Sequence, residues 1–354
     1  MKINATQLLE KVVDMEASDL HISVGANPYV RVNTVLKPLT EYPVMNVDDV
    51  EFVISQFLDA KQRELLEINK ELDFSIALGQ KARFRVNAFF QRGYPAVALR
   101  HITMDIPTIE DLHLPPILNS VCNLKQGLVI IVGPAGQGKS TTIASMIESI
   151  NKTRSEHIVT IEDPIEYVFT NKLSLIEQRE MFLDSHSWEI ALRSVMRQDP
   201  NIVFIGEMRD ADTIRSTLQI AETGHLVFTT LHTNSASQTI DRIIASFDEE
   251  KQNEVRSQLS QVVEVIISQR LLPSDKMGSV PACEIMINSD AIANLIREGK
   301  THMIDNIINT SAQYGMVSIE KSIANLVLSG TVALEDGLRY APRPQELRRL
   351  VDKK

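Results

Sequence analysis

The sequence is poor in cysteine, with only Cys122 and Cys283 among its 354 residues. They lie far apart and have no nearby Cys or His partners. A disulfide framework needs several paired cysteines, and a structural zinc site needs about four clustered ligands. We therefore expect neither and interpret both residues as buried small apolar side chains.

Long apolar runs are also missing. No stretch approaches the ~20 uninterrupted apolar residues of a transmembrane helix, and the start of the chain (MKINA) lacks the apolar core of a signal peptide. We therefore expect a cytoplasmic protein that does not insert into the membrane.

The sequence has no surplus of basic residues, because 36 Lys and Arg stand against 46 Asp and Glu, a net charge of -10. Such a chain repels the phosphate backbone of nucleic acid unless its basic residues gather on one surface. Nucleic acid is thus not an expected partner. A single nucleotide is compatible with this charge, since a few backbone amides and one lysine suffice to bind it.

The distribution of apolar residues changes near Pro107. Short strand-like runs and a helical stretch at 47–68 precede it, which indicates a small α+β domain at 1–105. Prolines disfavour regular structure just afterwards, so we assign an interdomain linker to 106–116. The strand-like runs are 19–23, 29–35, 73–78, 82–91 and 96–102.

From 117 to 354, apolar runs of strand length alternate with helical periodicity. Continuous apolar runs are typical of parallel strands that are covered on both faces. We predict an α/β domain with a parallel sheet, followed from about residue 249 by a mainly helical region. The predicted strands are 128–132, 158–161, 202–205 and 226–231.

The segment GPAGQGKS at 133–140 follows the first of these strands and opens a helical pattern. It satisfies the phosphate-binding loop pattern in the required strand-to-helix context. Glycines let the loop amides point at phosphate oxygens, and the helix N-terminus adds partial positive charge. We predict that Lys139 reaches the β and γ phosphates of ATP and that Ser140 holds Mg²⁺. The helix would pack on the sheet through Ile143, Met146, Ile147 and Ile150.

Acidic residues follow the next two strands, and ligands of parallel sheets bind beyond the carboxyl ends of the strands. Glu162 and Asp163 come directly after the strand at 158–161 and offer carboxylates for a magnesium shell. Glu207 follows the strand at 202–205. We predict that it orients or deprotonates the attacking water.

Two histidines, His225 and His232, flank the strand at 226–231. A single histidine there would most simply be structural. Because a pair brackets a strand that ends at the site, we predict that His232, more than His225, senses the γ-phosphate.

Apolar and polar residues alternate along 82–90, which places Arg85 on a cationic face opposite a core face. Arg100 ends the next strand-like run, so a hairpin would bring it near Arg85. Arginine offers a planar fork that matches phosphate oxygens, so both could complete a nucleotide site against the neighbouring domain. Spacing alone favours the alternative of a solvated strand face with ion pairs.

Together these segments resemble the PilT family, the type IV pilus retraction motors of the secretion ATPase superfamily. The resemblance spans nearly the whole chain. The matching segments are ASDLHI at 17–22, ARFRVNAF at 82–89, the loop at 133–140, TIEDPIEY at 160–167, IGEMRD at 205–210 and AETGH at 221–225.

The resemblance implies a hexameric ring whose subunits each have a PAS-like N-terminal domain and a RecA-like ATPase domain. ATP would bind between the two domains, and its hydrolysis would move them relative to each other. The motion would act on a platform protein of the inner membrane that removes pilin subunits from the pilus base. The ring would thus lie at the cytoplasmic face of that membrane, where a paralogous pilus ATPase could share the work.

The resemblance also assigns site residues. The family's Asp box corresponds to 162–166, its Walker B segment to 206–210 and its His box to 223–232. The N-terminal arginines that contact phosphates in the family correspond to Arg85 and Arg100, which favours the phosphate-binding alternative for both. The Walker A segment comprises Gly133, Pro134, Ala135, Gly136, Gln137, Gly138, Lys139, Ser140 and Thr141.

The chain departs from the family's pattern in two segments. The motif AIRNLIRE, linked to retraction in the family, reads AIANLIRE at 291–298, with Ala293 in place of the first arginine. We expect ATP hydrolysis to survive this change, while a role as main or accessory retraction motor stays open. Ala135 and Gln137 stand where Thr and Ser are usual. We expect little effect from either, because backbone amides carry the binding there.

Two other functions share parts of this sequence pattern. A pilus extension or type II secretion motor shares the ATPase core but usually carries a longer N-terminal region and a four-cysteine zinc module, for which this chain lacks the cysteines. A RecA-like nucleic-acid motor needs a basic or aromatic channel surface, which the acidic balance disfavours. We interpret the arginine-rich tail at 339–349 as a solvated helix face. Both acidic strand ends are present, which argues against a regulatory paralogue that does not hydrolyse ATP.

Overall fold

The computed structural model describes residues 3–32, 35–79, 81–102 and 105–352. The described chain divides into two compact units, one formed by Met1–Asp105 with Glu166–Val168 and the other by Ile106–Ile165 with Phe169–Lys354. Each unit has its own hydrophobic core. In the described ranges, no helix is both long enough and apolar enough to cross a lipid bilayer. Both cysteines are buried, as predicted.

The described residues of the first unit form helices and a six-stranded antiparallel sheet. Its elements are α1 (Ala5–Asp14), β1 (Asp19–Ser23), β2 (Tyr29–Val32), β3 (Val35–Pro38), α2 (Val47–Ser55), α3 (Ala60–Asn69), β4 (Glu71–Leu78), β5 (Ala82–Gln91) and β6 (Tyr94–Ile102). The strand order is β3-β2-β1-β6-β5-β4. The strand predicted at 29–35 corresponds to β2 and the start of β3, and its positions 33 and 34 lie outside the described residues.

The single helical stretch predicted at 47–68 is wrong, because α2 and α3 are separate helices. The break lies at Asp59, whose carboxylate accepts the backbone N–H of Gln62, while the Gln62 side chain accepts the backbone N–H of Asp59. This reciprocal capping box starts a new helix at Ala60. Helix α1 was not predicted.

Strand β5 alternates as predicted. Phe84, Val86 and Ala88 are fully buried, while Arg85 on the opposite face is exposed. Strands β5 and β6 form an antiparallel hairpin in which Arg85 and Arg100 are direct cross-strand partners. The predicted proximity of the two arginines is therefore confirmed.

The second unit alternates strands and helices before a helical C-terminal part. Its elements are α4 (Ile117–Val121), β7 (Gly127–Val132), α5 (Lys139–Thr153), β8 (His157–Glu162), β9 (Leu175–Glu180), α6 (Trp188–Val195), β10 (Ile202–Ile205), α7 (Ala211–Glu222), β11 (Leu226–Leu231), α8 (Ala236–Ala245), α9 (Glu249–Val262), β12 (Val263–Ser274), β13 (Gly278–Ile287), α10 (Asp290–Arg297), α11 (Ile304–Thr310), α12 (Ile319–Leu328), α13 (Leu334–Tyr340) and α14 (Pro344–Asp352).

The strands of this unit form one sheet in the order β13-β12-β7-β11-β10-β8-β9 across the described chain. All neighbouring pairs are parallel except β12 with β13. The predicted strands at 128–132, 158–161, 202–205 and 226–231 are confirmed, and they are buried as parallel strands should be. Their carboxyl ends meet at one edge, which gathers the segments that follow them.

The prediction of a mainly helical region after residue 249 is wrong between 263 and 287. There β12 and β13 form an antiparallel hairpin, and β12 also pairs with β7. Gly278, the first residue of β13 after the turn at 275–277, has φ +72°, a conformation that suits glycine. Strand β12 is mostly buried in the sheet, and its short apolar runs at 265–267 and 271–272 do not distinguish a strand from a buried helix.

Candidate active site

The segment at 133–140 is a loop that leads from β7 into α5, as predicted. Lys139 begins α5 and is only 8% exposed. Its ammonium group donates to the carbonyl oxygens of Gly133 at 2.6 Å and Pro134 at 2.9 Å. The lysine charge is therefore held against the backbone of the loop.

Helix α5 directs its N-terminus at this loop. Gly138 is its N-cap, in a left-handed conformation at φ +75°. The first N–H groups of a helix have no acceptor within the helix and carry partial positive charge, which suits a phosphate. Ser140 and Thr141 in this first turn are half-buried. The predicted packing face of α5 is confirmed, because its four residues are fully buried: Ile143, Met146, Ile147 and Ile150.

His232 connects Lys139 to the predicted catalytic glutamate. It follows β11, which lies between β7 and β10 in the sheet. His232 Nδ1 lies 3.2 Å from Lys139 Nζ, and His232 Nε2 lies 3.2 Å from Glu207 Oε1. An ammonium group, an imidazole and a carboxylate from neighbouring strand ends thus form a continuous row of contacts.

Arg209 extends this row to the end of β8. Its Nε donates to Glu207 Oε2 at 2.9 Å, and its Nη1 donates to Asp163 Oδ2 at 3.1 Å. The hydrogen bond to Glu207 raises the pKa of Arg209 above its ordinary value, so the guanidinium stays charged. The sequence interpretation gave Arg209 no role, although an arginine two residues after Glu207 is a signal for an ion pair.

Helix capping does not account for Glu207. The residue that caps α7 is Asp210, whose Oδ1 accepts the backbone N–H of Thr213 at 2.8 Å. This hydrogen bond lowers the pKa of Asp210. Glu207 instead contacts the two cationic or titratable side chains of the row, Arg209 and His232.

Glu162 is 5% exposed at the carboxyl end of β8. Its Oε1 accepts the Thr160 hydroxyl at 2.6 Å and the Gln178 side-chain amide at 3.2 Å. These donors fix the orientation of the carboxylate and offset the cost of burying it.

The predicted magnesium donors are the Ser140 hydroxyl and the carboxylates of Glu162 and Asp163. Such oxygen ligands suit Mg²⁺, which proteins usually bind through one or two carboxylates together with substrate phosphates. Across the part of the chain that the structure describes, no group of three His, Cys, Asp or Glu residues could hold a metal by itself. Strands β11 and β10 lie between β7, which leads into the loop before Ser140, and β8, which ends just before Asp163, and no described contact joins these two residues. Their joint metal site stays a prediction.

Comparison of the sequence with known proteins shows the family of this chain. The family model described as "Type II/IV secretion system protein" matches residues 2–335. The chain belongs to this family. Among its relatives is the type IV pilus retraction ATPase PilT of Pseudomonas aeruginosa, which is 41% identical over 97% of this chain and 99% of the relative. The type IV pilus ATPase PilU of the same bacterium is 37% identical over 98% of this chain and 90% of the relative.

The solved structure of the pilus retraction motor PilT with bound ADP matches the chain with a TM-score of 0.92. The two are 42% identical, and the match covers 98% of this chain and 99% of that one. The predicted PilT family and the predicted α/β fold with a parallel sheet are thereby confirmed, while the RecA-like assignment of the larger domain stays a prediction. The PAS-like assignment, the linker at 106–116 and the hexameric ring stay predictions.

Contrary to the prediction, His225 does not lie with the other site residues of the same chain. It precedes β11 and lies near Gly127, at the end of the sheet opposite the loop. Six residues of strand place the two ends about 20 Å apart. His225 Nδ1 lies 3.0 Å from both Ile220 O and Thr223 Oγ1. The two histidines are far apart because His225 precedes β11 and His232 follows it.

Arg85 and Arg100 belong to the first unit. Arg100 Nε lies 3.1 Å from Asp19 Oδ1, so this arginine forms the ion pair expected of a strand face. Arg85 is exposed beside it. The part that either arginine plays toward phosphates stays a prediction.

The hairpin of β12 and β13 contributes residues that the sequence interpretation missed. Gln269 contacts both the loop and α5. A cavity of about 240 Å³ also lies beside the loop, lined by Thr141, Thr142, His113 and the hairpin residues Leu271 and Met277 among others. These contributions were missed because the hairpin was interpreted as helical.

Proposed function

We propose that this protein hydrolyses ATP and that the energy powers retraction of a type IV pilus. The observation that carries the proposal is the row of contacts from Lys139 through His232 to Glu207. It joins a phosphate-binding cation to a general base across three neighbouring strand ends. Hydrolysis of a γ-phosphate depends mainly on such positioning and charge stabilisation.

In the proposed reaction, Lys139 exchanges the carbonyl oxygens of Gly133 and Pro134 for phosphate oxygens. Glu207 orients a water molecule and accepts its proton while the water oxygen attacks the γ-phosphorus. The bond from the γ-phosphorus to the bridging oxygen breaks, which yields ADP and phosphate. When bound, Mg²⁺ would neutralise phosphate charge, and its predicted protein oxygens are those of Ser140, Glu162 and Asp163.

The cavity beside Thr141 and Thr142 is the proposed place of the nucleoside. It adjoins the loop, and hairpin side chains such as Leu271 and Met277 supply an apolar wall. Ligand sites of this kind combine apolar walls with a few polar groups that fix orientation. The phosphates would then reach the loop from the cavity side.

The likeness to PilT and PilU over nearly their whole lengths supports pilus retraction as the task. We further propose a homohexamer that works at the cytoplasmic face of the inner membrane against a pilus platform protein. PilT and PilU come from one bacterium, which supports a paralogous ATPase as a companion. Ala293, which stands in place of the first arginine of the retraction motif, is buried in α10.

A phosphate-release assay on the purified protein tests the enzymatic part. We expect MgATP turnover by the wild type and none by Lys139→Ala, because the variant loses the cation that faces the phosphates. Lys251→Ala removes an exposed lysine outside the site and should match the wild type. An inactive wild type, or an active Lys139→Ala variant, would contradict the proposal.

A further inference from the structure

Strand β12 continues beyond the end of its neighbour β7. The two pair in parallel as far as Ser268 and Val132. After Val132 the chain of β7 turns into the loop at 133–140, whereas β12 continues to Ser274. The edge of β12 from Gln269 onward therefore borders the phosphate-binding loop where a strand partner has ended.

Gln137 of the loop accepts hydrogen bonds from two groups of this edge. The backbone N–H of Leu271 donates to Gln137 Oε1 at 2.7 Å. The Gln269 side-chain amide donates to Gln137 O, also at 2.7 Å. The N–H of this half-buried strand residue has no strand partner on the β7 side, and the Gln137 side chain supplies its acceptor.

Gln269 joins the same loop residue to the helix behind it. It is 2% exposed, and its Oε1 accepts the Thr142 hydroxyl at 2.8 Å. Both polar ends of this buried amide are thus bonded, one to the loop and one to the first turn of α5. Such a fully bonded buried network holds its members in fixed positions.

Close packing leaves the loop no room to slide along β12. A Cβ atom on Gly133 would lie 2.4 Å from Gln269 O, and one on Gly138 would lie 3.0 Å from Gln269 Nε2. The backbone of the loop therefore rests directly on β12. The position of the loop amides depends on where β12 lies and on how firmly the loop is tied to it.

We propose that Gln137 is a positioning residue for ATP hydrolysis, whose side chain ties the phosphate-binding loop to β12 and so holds the loop amides toward the phosphates. The inference rests on the proposed ATPase function. It reverses the expectation that Gln137 has little effect, because here the side chain and not only the backbone makes a bond. A serine at this position is too short to take over the contact with Leu271 N.

The variant Gln137→Met keeps the length of the side chain and removes the acceptor. Loss of one hydrogen bond should raise both KM for MgATP and Kd for ADP roughly fivefold. The loop binds phosphates in the ground state and the transition state alike, so kcat should change less than about twofold. Gln137→Ser should behave in the same way, which guards against an effect peculiar to methionine.

The matched control is Gln345→Met, which alters an exposed glutamine on α14 and should keep wild-type KM and kcat. The melting temperature of each nucleotide-free variant shows whether the fold is intact. A purely structural role would lower the melting temperature and the active fraction while KM stayed unchanged. An unchanged KM in Gln137→Met beside an active wild type would overturn the inference.

Amide hydrogen exchange tests the tie without any enzymatic activity. In the nucleotide-free protein, the Leu271 amide should exchange faster in Gln137→Met than in the wild type and in Gln345→Met. Unchanged exchange would overturn the inference. An inactive wild type would reject the proposed ATPase function alone, and the exchange result would still decide whether Gln137 holds the loop on β12.

Discussion

His232 Nε2 lies 3.2 Å from Glu207 Oε1, while the other ring nitrogen of His232 lies 3.2 Å from Lys139 Nζ. The imidazole thus separates the cation that would bind phosphates from the carboxylate that would activate water. Arg209 holds the second oxygen of Glu207. The carboxylate is therefore restrained from both sides, as a base that must be accurately placed requires.

Glu207→Gln should abolish measurable turnover, with kcat falling by at least about 100-fold, because the amide can hold a water but cannot take its proton. Its ADP affinity should stay close to that of the wild type, since Lys139 and the loop are unchanged. Steady-state phosphate release and ADP titration measure the two effects. Glu254→Gln, an exposed glutamate on α9, is the control. Wild-type turnover in Glu207→Gln would remove Glu207 from the reaction.

Gly133→Ala should damage the loop more than Gly136→Ala does. The new Cβ at position 133 would lie 2.4 Å from Gln269 O, whereas a Cβ at 136 meets no atom of the described chain within 4 Å. Gly136→Ala then suffers only the strain of φ +73°, roughly 1 to 2 kcal/mol. ADP affinity and melting temperature, compared between the two variants, measure the difference. Equal losses in both would show that contact with β12 does not constrain the loop.

Arg85→Ala should lower the ATPase rate without unfolding the protein. The side chain is exposed on β5, so its removal leaves no cavity, and the resemblance assigns it a phosphate contact. Turnover and melting temperature are measured together, with Arg63→Ala as a control for loss of another arginine in the same unit. Normal turnover in Arg85→Ala would make this arginine part of an ordinary solvated strand face.

Glu284→Gln should stabilise the protein most at high pH. Burial raises the pKa of Glu284 from 4.5 to about 7, and Asp305 and Glu320 add to the effect, while Arg343 opposes it. Between these two pH values the folded state keeps a proton that the unfolded state has released, so stability falls as the pH rises through this window. Gln retains an acceptor for the Ala236 N–H and has no charge to bury.

We expect the gain in unfolding free energy of Glu284→Gln to be about 1 to 3 kcal/mol at pH 8 and close to zero at pH 4.5. Thermal or urea unfolding at both pH values measures it, with Glu254→Gln as the control. A gain that is larger at pH 4.5 than at pH 8 would contradict the sign of this linkage.

The parallel strands and the loop at 133–140 were predictable because their signals are local. An apolar run with glycines behind it identifies β7 and the start of α5 without reference to any other part of the chain. The polar residues after β8 and β10 were likewise assigned to one edge, since parallel strands end together. The separation of α2 from α3 was also readable, because Asp59 and Gln62 form a capping box that the periodicity argument overlooked.

The hairpin of β12 and β13 was not predictable from the same signals. The short apolar runs at 265–267 and 271–272 fit a buried helix as well as a buried strand. The contacts of Gln137 with Leu271 and Gln269 depend on that hairpin and on the order of the strands. The location of His225 was likewise not predicted. His225 and His232 are close in sequence, but the full length of β11 separates them in space.

Imaging of labelled pili in living cells tests the central claim most directly. The gene is deleted in a host without a paralogous retraction ATPase and then restored as the wild type, Lys139→Ala or Lys251→Ala. We predict that extended pili accumulate and fail to retract in the deletion strain and with Lys139→Ala, while the wild type and Lys251→Ala restore retraction. Pili that retract normally in the deletion strain, or pili that no longer extend, would contradict an ATP-driven retraction motor.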